Sequence, residues 1–164
     1  MLSLKELKQY GLGKNSHLEY VIRLIDTISV YKVRQPVLRK GRPIESCVFE
    51  GDELETTVHV GVFIAGELVA VSSFLKNKHD KVLSDCQYQL RGMAVLESFQ
   101  NKGLGGIMLN YGEQLLKNKL TDVIWCNARE VALNFYKKQG YTIVGEPFDI
   151  KGIGSHYTMR KFLI

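Results

Sequence analysis

Cysteine is scarce in this chain, and its spacing excludes two kinds of protein. There are three cysteines among 164 residues, Cys47, Cys86 and Cys126, and no two of them form a Cys-x-x-Cys pair. An odd number of cysteines with these spacings argues against both a disulfide framework and a zinc site. We therefore expect reduced thiols in a protein core and no bound metal.

Long apolar runs are also missing. No segment approaches the length needed to span a bilayer, and no apolar stretch typical of a secretory leader follows Lys5 and Lys8. The hydrophobic fraction of 45% and the charged fraction of 24% are ordinary for a soluble globular protein. These absences predict a cytoplasmic protein with no membrane partner. We expect one domain over 19–164, preceded by an N-terminal helix and extension at 1–18.

The charge balance of the chain is basic. The formal net charge of +5 suits an anionic ligand and is also compatible with nucleic acid. The basic residues are scattered, however, and the sequence contains no nucleic-acid-binding motif. We therefore expect an anionic small molecule, rather than a nucleic acid, as the partner.

Glycine is concentrated in a stretch that can bind such an anion. The segment Gln100-Asn101-Lys102-Gly103-Leu104-Gly105-Gly106 follows a mostly apolar run, Leu90 to Leu96, and precedes a helical pattern from Ile107 to Lys119. Backbone N–H groups at a helix N-terminus point outward together, and the helix dipole favours an anion there. Glycine lets a diphosphate approach the backbone, and Lys102 adds a positive charge. The pattern predicts a phosphate cradle.

Two better-known phosphate loops do not fit this segment. A P-loop requires Gly-Lys-Ser/Thr after the glycines, and that sequence is absent here. A dinucleotide-binding turn requires a third glycine where this chain has Met108, counting from Gly103 and Gly105, and it usually belongs to the first βαβ unit. Taken alone, the segment is equally compatible with a tight strand-to-helix turn that binds no ligand.

A second motif begins after a predicted strand at Asp122–Cys126, and the two motifs together resemble those of the GNAT superfamily of acetyl-CoA-dependent N-acyltransferases, small-acceptor type. Gln100, Gly103 and Gly105 match the family turn R/Q-x-x-G-x-G/A. The later family signature is N-A-R-x-x-A-x-x-F-Y-x-x-x-G-F/Y. The residues that match it in register are Asn127, Ala128, Arg129, Ala132, Phe135, Tyr136, Gly140 and Tyr141. The resemblance is good from Val58 to Met159 and extends more loosely back to Glu19.

The resemblance implies an α/β fold with a mixed central β-sheet of six to seven strands, flanked by helices, in which the central parallel strands splay apart. The residue patterns independently give the order β-α-β-β-β-α-β-α-β-β. Strands are expected at Tyr20–Ile25, Val58–Ile64, Glu67–Leu75, Tyr88–Val95, Asp122–Cys126, from Tyr141 to Gly145, and at Ser155–Phe162. Ala65-Gly66 is expected to be the turn of a hairpin.

Helices are expected between these strands. Asp26 or Thr27 can cap a helix that runs to about Lys40, and Pro36 is a potential break in it. The second helix is the pattern from Ile107 to Lys119. The third covers the later motif, where positions 128, 131, 132, 135 and 136 share one apolar face and Gly140 fits a helix stop. A short helix is also expected at Ser3–Tyr10.

The resemblance implies that acetyl-CoA is the co-substrate. The diphosphate would bind Gln100, Asn101, Lys102, Gly103, Leu104, Gly105 and Gly106. The pantetheine arm would pair with the backbone of Met93, Ala94 and Val95, as an added strand would. Gly92 permits a bulge there, and an exposed N–H group could stabilise an oxyanion. Asn127 and Asn134 hold the family positions that retain the cofactor arm, although capping and simple exposure explain them equally well.

The leaving thiolate needs an acid and the attacking amine needs a base. Tyr136 holds the family position of the acid, and a phenol of pKa about 10 suits a thiol of comparable basicity. The alternative is that Tyr136 is only a core aromatic. Many members carry a basic carboxylate on the central strand, but this chain has no acid between Cys86 and Val95. Glu97 and His156 are the candidates for the base, and a water relay without a dedicated base is the alternative.

The sequence defines the acceptor only as an amine of a small molecule or peptide. Arg34, Arg39 and Arg42 resemble a segment that flanks the acceptor pocket in a small-acceptor branch, where they could bind an acidic acceptor. The other interpretation is that these arginines are solvated, or paired with Glu45, Glu50 or Asp52. We predict an acetyl-CoA-dependent N-acetyltransferase, with a non-catalytic acetyl-CoA sensor of the same fold as the alternative. The sequence leaves open whether the protein is a monomer or a homodimer.

Overall fold

The computed structural model describes residues 18–163, so the helix expected at Ser3–Tyr10 lies outside the described residues. The helices are α1 (Thr27–Leu38), α2 (Leu104–Lys117) and α3 (Leu133–Lys138). The strands are β1 (Val21–Leu24), β2 (Val58–Ile64), β3 (Glu67–Lys76), β4 (Gln87–Val95), β5 (Val123–Arg129), β6 (Thr142–Ile143), β7 (Phe148–Ile150) and β8 (Gly154–Phe162).

The strands form one mixed sheet in the order β1-β2-β3-β4-β5-β8-β6, and β7 pairs with β8. This confirms the predicted α/β fold, with the short strand β7 as an addition. By contacts, the chain divides into two compact units. One comprises the residues up to Phe74 together with Gly92–Gly112, and the other comprises Leu75–Arg91 and the residues from Glu113 onward. The prediction of one domain over 19–164 stays a prediction.

The first unit is built on antiparallel pairing of β1 with β2 and of β2 with β3. Ala65 and Gly66 both have positive φ angles, of 48° and 81°, which is the backbone that a two-residue hairpin turn requires. Helix α1 packs Val30 and Val33 against Val71 of β3. Gly112 of α2 lies so close to Phe74 that an added Cβ would sit 2.2 Å from the ring, so only glycine fits there.

The second unit contains a parallel pair of strands. β4 pairs with β5 from Gln87↔Val123 to Gln89↔Trp125, and β5 then pairs antiparallel with β8 from Val123↔Phe162 to Arg129↔His156. β5 therefore extends to Arg129, three residues beyond the predicted end, because β8 supplies partners along its whole length. Helix α3 packs against β5.

Helix α1 runs through Pro36, as expected, and ends at Leu38, two residues before the expected end near Lys40. One prediction about helices was wrong. The helical face drawn through 128, 131 and 132 does not exist, since Ala128 belongs to β5, a 3₁₀ turn spans Glu130–Ala132, and Val131 is 91% exposed. Asp26, rather than Thr27, is the N-cap of α1, and its Oδ1 accepts from the Ser29 N–H at 2.7 Å.

No helix within residues 18–163 is both long and apolar enough to cross a bilayer.

Candidate functional site

The glycine-rich segment forms a tight turn that leads directly into α2. The helix begins at Leu104, three residues earlier than predicted, so Gly105 and Gly106 belong to its first turn. The Ile107 N–H donates to the Gly103 carbonyl at 3.2 Å and is the first bond of the helix. The N–H groups of Leu104, Gly105 and Gly106 precede that bond and have no acceptor inside the helix. An anion placed at this end would meet several donors together.

The backbone before the helix is folded back on itself. Asn101 and Gly103 have positive φ angles, of 60° and 80°, and both residues are exposed. A Cβ added at Gly103 would meet no atom within 4 Å, so the space beside this glycine is open. The Gln100 Nε2 donates to the Val95 carbonyl at 2.9 Å, which fixes the turn to the end of β4. The Lys102 ammonium is exposed and lies 5.2 Å from the centre of the Phe99 ring.

The end of β4 supplies the second set of predicted cofactor residues. Ala94 is buried and packs with the apolar cluster of α1, whereas Met93 and Val95 are partly exposed. Gly92, just before them, has a φ of 59°. This left-handed conformation agrees with the irregular backbone that the sequence predicted at that glycine.

Tyr136 lies in the second unit, where a helix stop positions it. Gly140 has a φ of 89°, the Gly140 N–H donates to the Lys137 carbonyl at 3.0 Å, and the Tyr141 N–H donates to the Tyr136 carbonyl at 3.0 Å. This pair of bonds is a Schellman motif, which brings the side chains at its two ends together. The rings of Tyr136 and Tyr141 accordingly meet edge to face with centroids 5.6 Å apart. The predicted helix stop is confirmed.

The two phenols differ in what they contact. The Tyr141 hydroxyl donates to Glu113 Oε1 at 3.1 Å, and Lys161 Nζ holds the other carboxylate oxygen at 2.5 Å. No partner for the Tyr136 hydroxyl is found within the described part of the chain. Burial is the main cause that raises the pKa of Tyr136 well above its ordinary value, and the nearby Cys126 raises it further. Tyr136 therefore carries its proton at neutral pH, as an acid must.

Asn127 and His156, the other polar candidates, lie on the face of β5 and β8 that points away from Tyr136. Residues paired across an antiparallel ladder point to the same side, so Asn127 shares a face with Thr158, and Arg129 with His156. The Thr158 hydroxyl donates to Asn127 Oδ1 at 3.1 Å. Tyr136 lies on the side of Cys126, which alternates with Asn127 along the strand.

His156 is held in one tautomer. Its ring is 5% exposed, and Nδ1 lies 2.8 Å from the Gly154 carbonyl. Because a carbonyl can only accept, Nδ1 carries the hydrogen, and in the neutral ring Nε2 carries the lone pair. The Phe148 ring, with its centroid 5.9 Å away, covers one side of the imidazole. The arrangement leaves a ring nitrogen that can accept a proton.

Two further predicted residues, Glu97 and Asn134, have exposed side chains. Glu97 is exposed in a 3₁₀ turn after β4, and Asn134 is exposed on α3. The structure thus gathers the β4 and turn residues in one unit, and Asn127, Tyr136 and His156 around β5 in the other. Arg34 is fully buried and paired with Asp52, which confirms the interpretation of a structural ion pair and is incompatible with a solvated side chain.

A cluster around Arg34 includes residues that the sequence analysis did not single out. Ser73 and His59, on adjacent strands, are both buried and hydrogen-bonded to each other. A signal was present, since Arg34 follows Val30 and Val33 on one face of a helix and His59 interrupts an apolar strand. Polar residues at such apolar positions are typical of buried networks.

The sequence comparisons now identify the family. The model of the "Acetyltransferase (GNAT) family" matches residues 27–141. The chain belongs to the GNAT acetyltransferase family. This GNAT chain is 37% identical over 142 residues to the "Uncharacterized N-acetyltransferase YitI" of Bacillus subtilis (strain 168), a match that covers 85% of this chain and 95% of that protein. The resemblance predicted from the two motifs is confirmed, and the chain is an acyltransferase enzyme.

Solved structures show the same GNAT fold. An aminoglycoside 6'-N-acetyltransferase complexed with coenzyme A matches with a TM-score of 0.70 and 16% identity, over 88% of this chain and 97% of that one. The ribosomal-protein-S18-alanine N-acetyltransferase from Escherichia coli matches with a TM-score of 0.70 and 17% identity, over 88% and 94%. These two proteins differ in the acceptors that their names state, so the fold does not select an acceptor.

Proposed function

We propose that this acyltransferase transfers an acetyl group from acetyl-CoA to a primary amine of a small molecule or peptide. The observation that carries the proposal is the turn at Gln100–Gly106, where the first N–H groups of α2 have no acceptor inside the helix and no side chain of the described residues fills the space beside Gly103. A diphosphate is the anion that such a cradle fits. The coenzyme A bound to the aminoglycoside enzyme of the same fold supports the choice of ligand.

The pantetheine arm is proposed to run along Met93–Val95. The backbone of these residues would pair with its amides in the manner of an added strand. One N–H group of this segment would stabilise the oxyanion that forms when the amine attacks the thioester carbon. Asn127 and Asn134 are proposed to retain the cofactor arm, as the family positions imply.

Tyr136 is proposed as the general acid. When the C–S bond breaks, the leaving thiolate takes the phenolic proton, and free coenzyme A thiol departs. The Tyr136 hydroxyl has no partner among the described residues, so its proton is not engaged elsewhere, and this supports the role. Tyr141, whose hydroxyl is bound to Glu113, is less suited to it.

His156 is proposed as the base that removes a proton from the acceptor ammonium. Its Nδ1–H bond to Gly154 leaves Nε2 as the accepting nitrogen, and its buried ring is fixed by Phe148. Glu97 is the second candidate, and its exposed side chain is not positioned by any such contact.

The decisive experiment measures binding first and turnover second. Acetyl-CoA at about 100 times its Kd should raise the free energy of unfolding by about 2.7 kcal/mol, which appears as an upward shift of Tm. Release of free thiol is then measured with an amino acid, a polyamine, an aminoglycoside and a peptide amino terminus as acceptors. Binding with acetylated product supports the proposal. No shift of Tm with acetyl-CoA would contradict the cradle, and binding without any acetylated product would favour the sensor.

A further inference from the structure

A fully buried ion pair in the first unit has no part in the proposed chemistry. Arg34 of α1 is 0% exposed, and Asp52, in the loop before β2, is 2% exposed. The guanidinium is held bidentately, with Nη1 at 2.6 Å from Oδ2 and Nη2 at 3.0 Å from Oδ1. Removing either partner would leave an uncompensated charge away from water, which is strongly destabilising. The guanidinium is therefore fixed in place.

Further hydrogen bonds tie the pair to β2 and β3. Arg34 Nη1 donates to the Cys47 carbonyl at 2.8 Å, and Nη2 donates to Ser73 Oγ at 2.7 Å. Ser73 Oγ lies 2.6 Å from His59 Nδ1, and His59 Nε2 lies 2.9 Å from the Asp52 carbonyl. The Asp52 carbonyl only accepts, so His59 donates from Nε2 and, in the neutral ring, accepts from the Ser73 hydroxyl at Nδ1. One arrangement of protons satisfies the Ser73 hydroxyl, the His59 ring and the Asp52 carbonyl together.

The network presses the guanidinium against β4 at Gly92. A Cβ built on Gly92 would lie 2.7 Å from Arg34 Nε and 2.9 Å from Cε2 of Phe49. The guanidinium carbon itself stacks 4.2 Å from the centre of the Phe49 ring. Arginine and phenylalanine thus occupy the place that a side chain at position 92 would take. The close approach and the φ of 59° each require glycine.

The hydrogen bonds of Arg34 come from the side away from Gly92. Its Nε is the nitrogen nearest to that glycine, and it is buried without a hydrogen-bond partner among the described residues. The position of the guanidinium is therefore set by Asp52, Cys47 and Ser73, and not by a bond to β4. An unpaired buried donor costs free energy. Here the hydrogen bonds of Nη1 and Nη2 hold the guanidinium in place in spite of that cost.

We propose that the Arg34–Asp52 pair is a positioning device for the acyl-transfer segment of β4. The pair holds the left-handed conformation at Gly92 and so sets the direction of the peptide groups of Met93–Val95 that meet the thioester. This inference rests on the proposed function, in which those residues line the acetyl-CoA arm. Arg34 then acts through the backbone of β4 and does not bind an acidic acceptor.

The test separates chemistry from binding with the variant Gly92→Ala. Its methyl group would displace Arg34 and strain φ, which would misalign the peptide groups but leave the turn at Gln100–Gly106 intact. Because a misplacement of about 1 Å can lower a rate about 100-fold, we expect kcat per folded enzyme to fall about 10- to 100-fold. The Kd for acetyl-CoA, measured by calorimetry, should rise by a smaller factor than kcat falls, because the diphosphate contacts at Gln100–Gly106 are unchanged while the pairing of the pantetheine arm is weakened.

Gly66→Ala is the matched control, because Gly66 also has a positive φ, of 81°, but an added Cβ meets nothing within 4 Å. Ser73→Ala is the second variant if Gly92→Ala does not fold. It keeps the buried ion pair and removes only the bonds of Ser73 Oγ to Arg34 Nη2 and to His59, so it should lower kcat, though less than Gly92→Ala, and an unchanged kcat would then overturn the inference. Equal kcat for Gly92→Ala and Gly66→Ala, or a loss explained by a lower folded fraction, would overturn the inference. Wild-type protein without acetyl-CoA binding or turnover would instead overturn the proposed function, so the two failures are distinguishable.

Discussion

Tyr136 combines a protonated phenol with a rigid position. The helix stop at Gly140 fixes its backbone, and the edge of the Tyr141 ring fixes its orientation. Burial raises the pKa of Tyr136 above its ordinary value, so the phenol is protonated at neutral pH and holds a proton for a departing anion. A thiolate leaving acetyl-CoA is the base that the proposed function supplies.

Replacing Tyr136 by phenylalanine removes that proton and little else. We expect turnover to fall about 100- to 10,000-fold, the range typical of a lost general acid, with the Kd for acetyl-CoA nearly unchanged. Steady-state release of thiol and calorimetry measure the two quantities. Tyr141→Phe is the control, since it loses a bond to Glu113 and some stability but should retain turnover per folded enzyme. Unchanged turnover in Tyr136→Phe would remove the acid assignment.

His156→Gln tests the proposed base by comparing an acceptor that is protonated at pH 7 with one that is already neutral. An alkylamine is mostly protonated at pH 7 and needs a base, whereas hydroxylamine is already mostly neutral. We expect the variant to lose about 100-fold in rate with the alkylamine and much less with hydroxylamine. An equal loss with both nucleophiles would show that His156 has another role. Parallel assays of Glu97→Gln identify which candidate causes the selective loss.

At the scale of elements, the proposed diphosphate site is the junction of the glycine turn with α2. Gly103 is a residue where this junction can be blocked without a steric clash, because no atom of the described residues lies within 4 Å of an added Cβ, although its φ of 80° strains any side chain placed there. Gly103→Glu would place a carboxylate among N–H groups proposed to bind a diphosphate. We expect the Kd for acetyl-CoA to rise at least about 10-fold, which corresponds to about 1.4 kcal/mol. The measurement is calorimetric titration with acetyl-CoA.

Gly103→Asn is the matched variant for this measurement. Asparagine tolerates the left-handed backbone and adds no charge, so its effect on Kd should be smaller than that of glutamate. Equal Kd values for Gly103→Glu and the wild type would mean that the diphosphate binds elsewhere. A similar Tm for both variants would show that the difference lies in binding and not in folding.

The sequence predicted the ends of those elements that depend on residues adjacent in sequence. The hairpin at Ala65-Gly66 and the helix stop at Gly140 follow from residues within a single turn. The length of β5 could not be predicted in this way, since its last three residues are strand because β8, about 30 residues later, pairs with them. The start of α2 at Leu104 was missed because glycine is a weak helix former.

In the candidate site, too, residues within one contiguous motif could be predicted and residues joined by long-range contacts could not. The turn and Tyr136 lie within contiguous motifs, so the sequence was sufficient to select them. The Arg34–Asp52 pair joins residues 18 positions apart, and its bond to Ser73 spans 39 positions. The sequence analysis listed Asp52 as one of three potential acidic partners, but nothing local to Gly92 indicates that a guanidinium covers it. Long-range packing of this kind requires coordinates.

At the scale of the whole molecule, three buried acids in the second unit link stability to pH. Burial raises the pKa of the Cys126 thiol from near 9 to about 12, and it raises the pKa values of Tyr136 and Tyr141 above their ordinary value near 10. Above pH 9 the unfolded chain releases these protons while the folded chain retains them. The unfolded state then binds fewer protons, so the free energy of unfolding falls as pH rises.

The contribution of Cys126 can be isolated with Cys126→Ala. Below pH 9 the variant should differ from the wild type by a constant offset, caused by the lost packing of a buried side chain. Between pH 9 and 12 the thiol adds a slope of up to about 1.4 kcal/mol per pH unit to the wild-type curve, and the variant lacks it. Urea unfolding at a series of pH values should therefore show the two curves converging. Curves that stay parallel up to pH 12 would mean that the folded protein releases the Cys126 proton as readily as the unfolded chain does, and a buried, protonated thiol beside Tyr136 would be excluded.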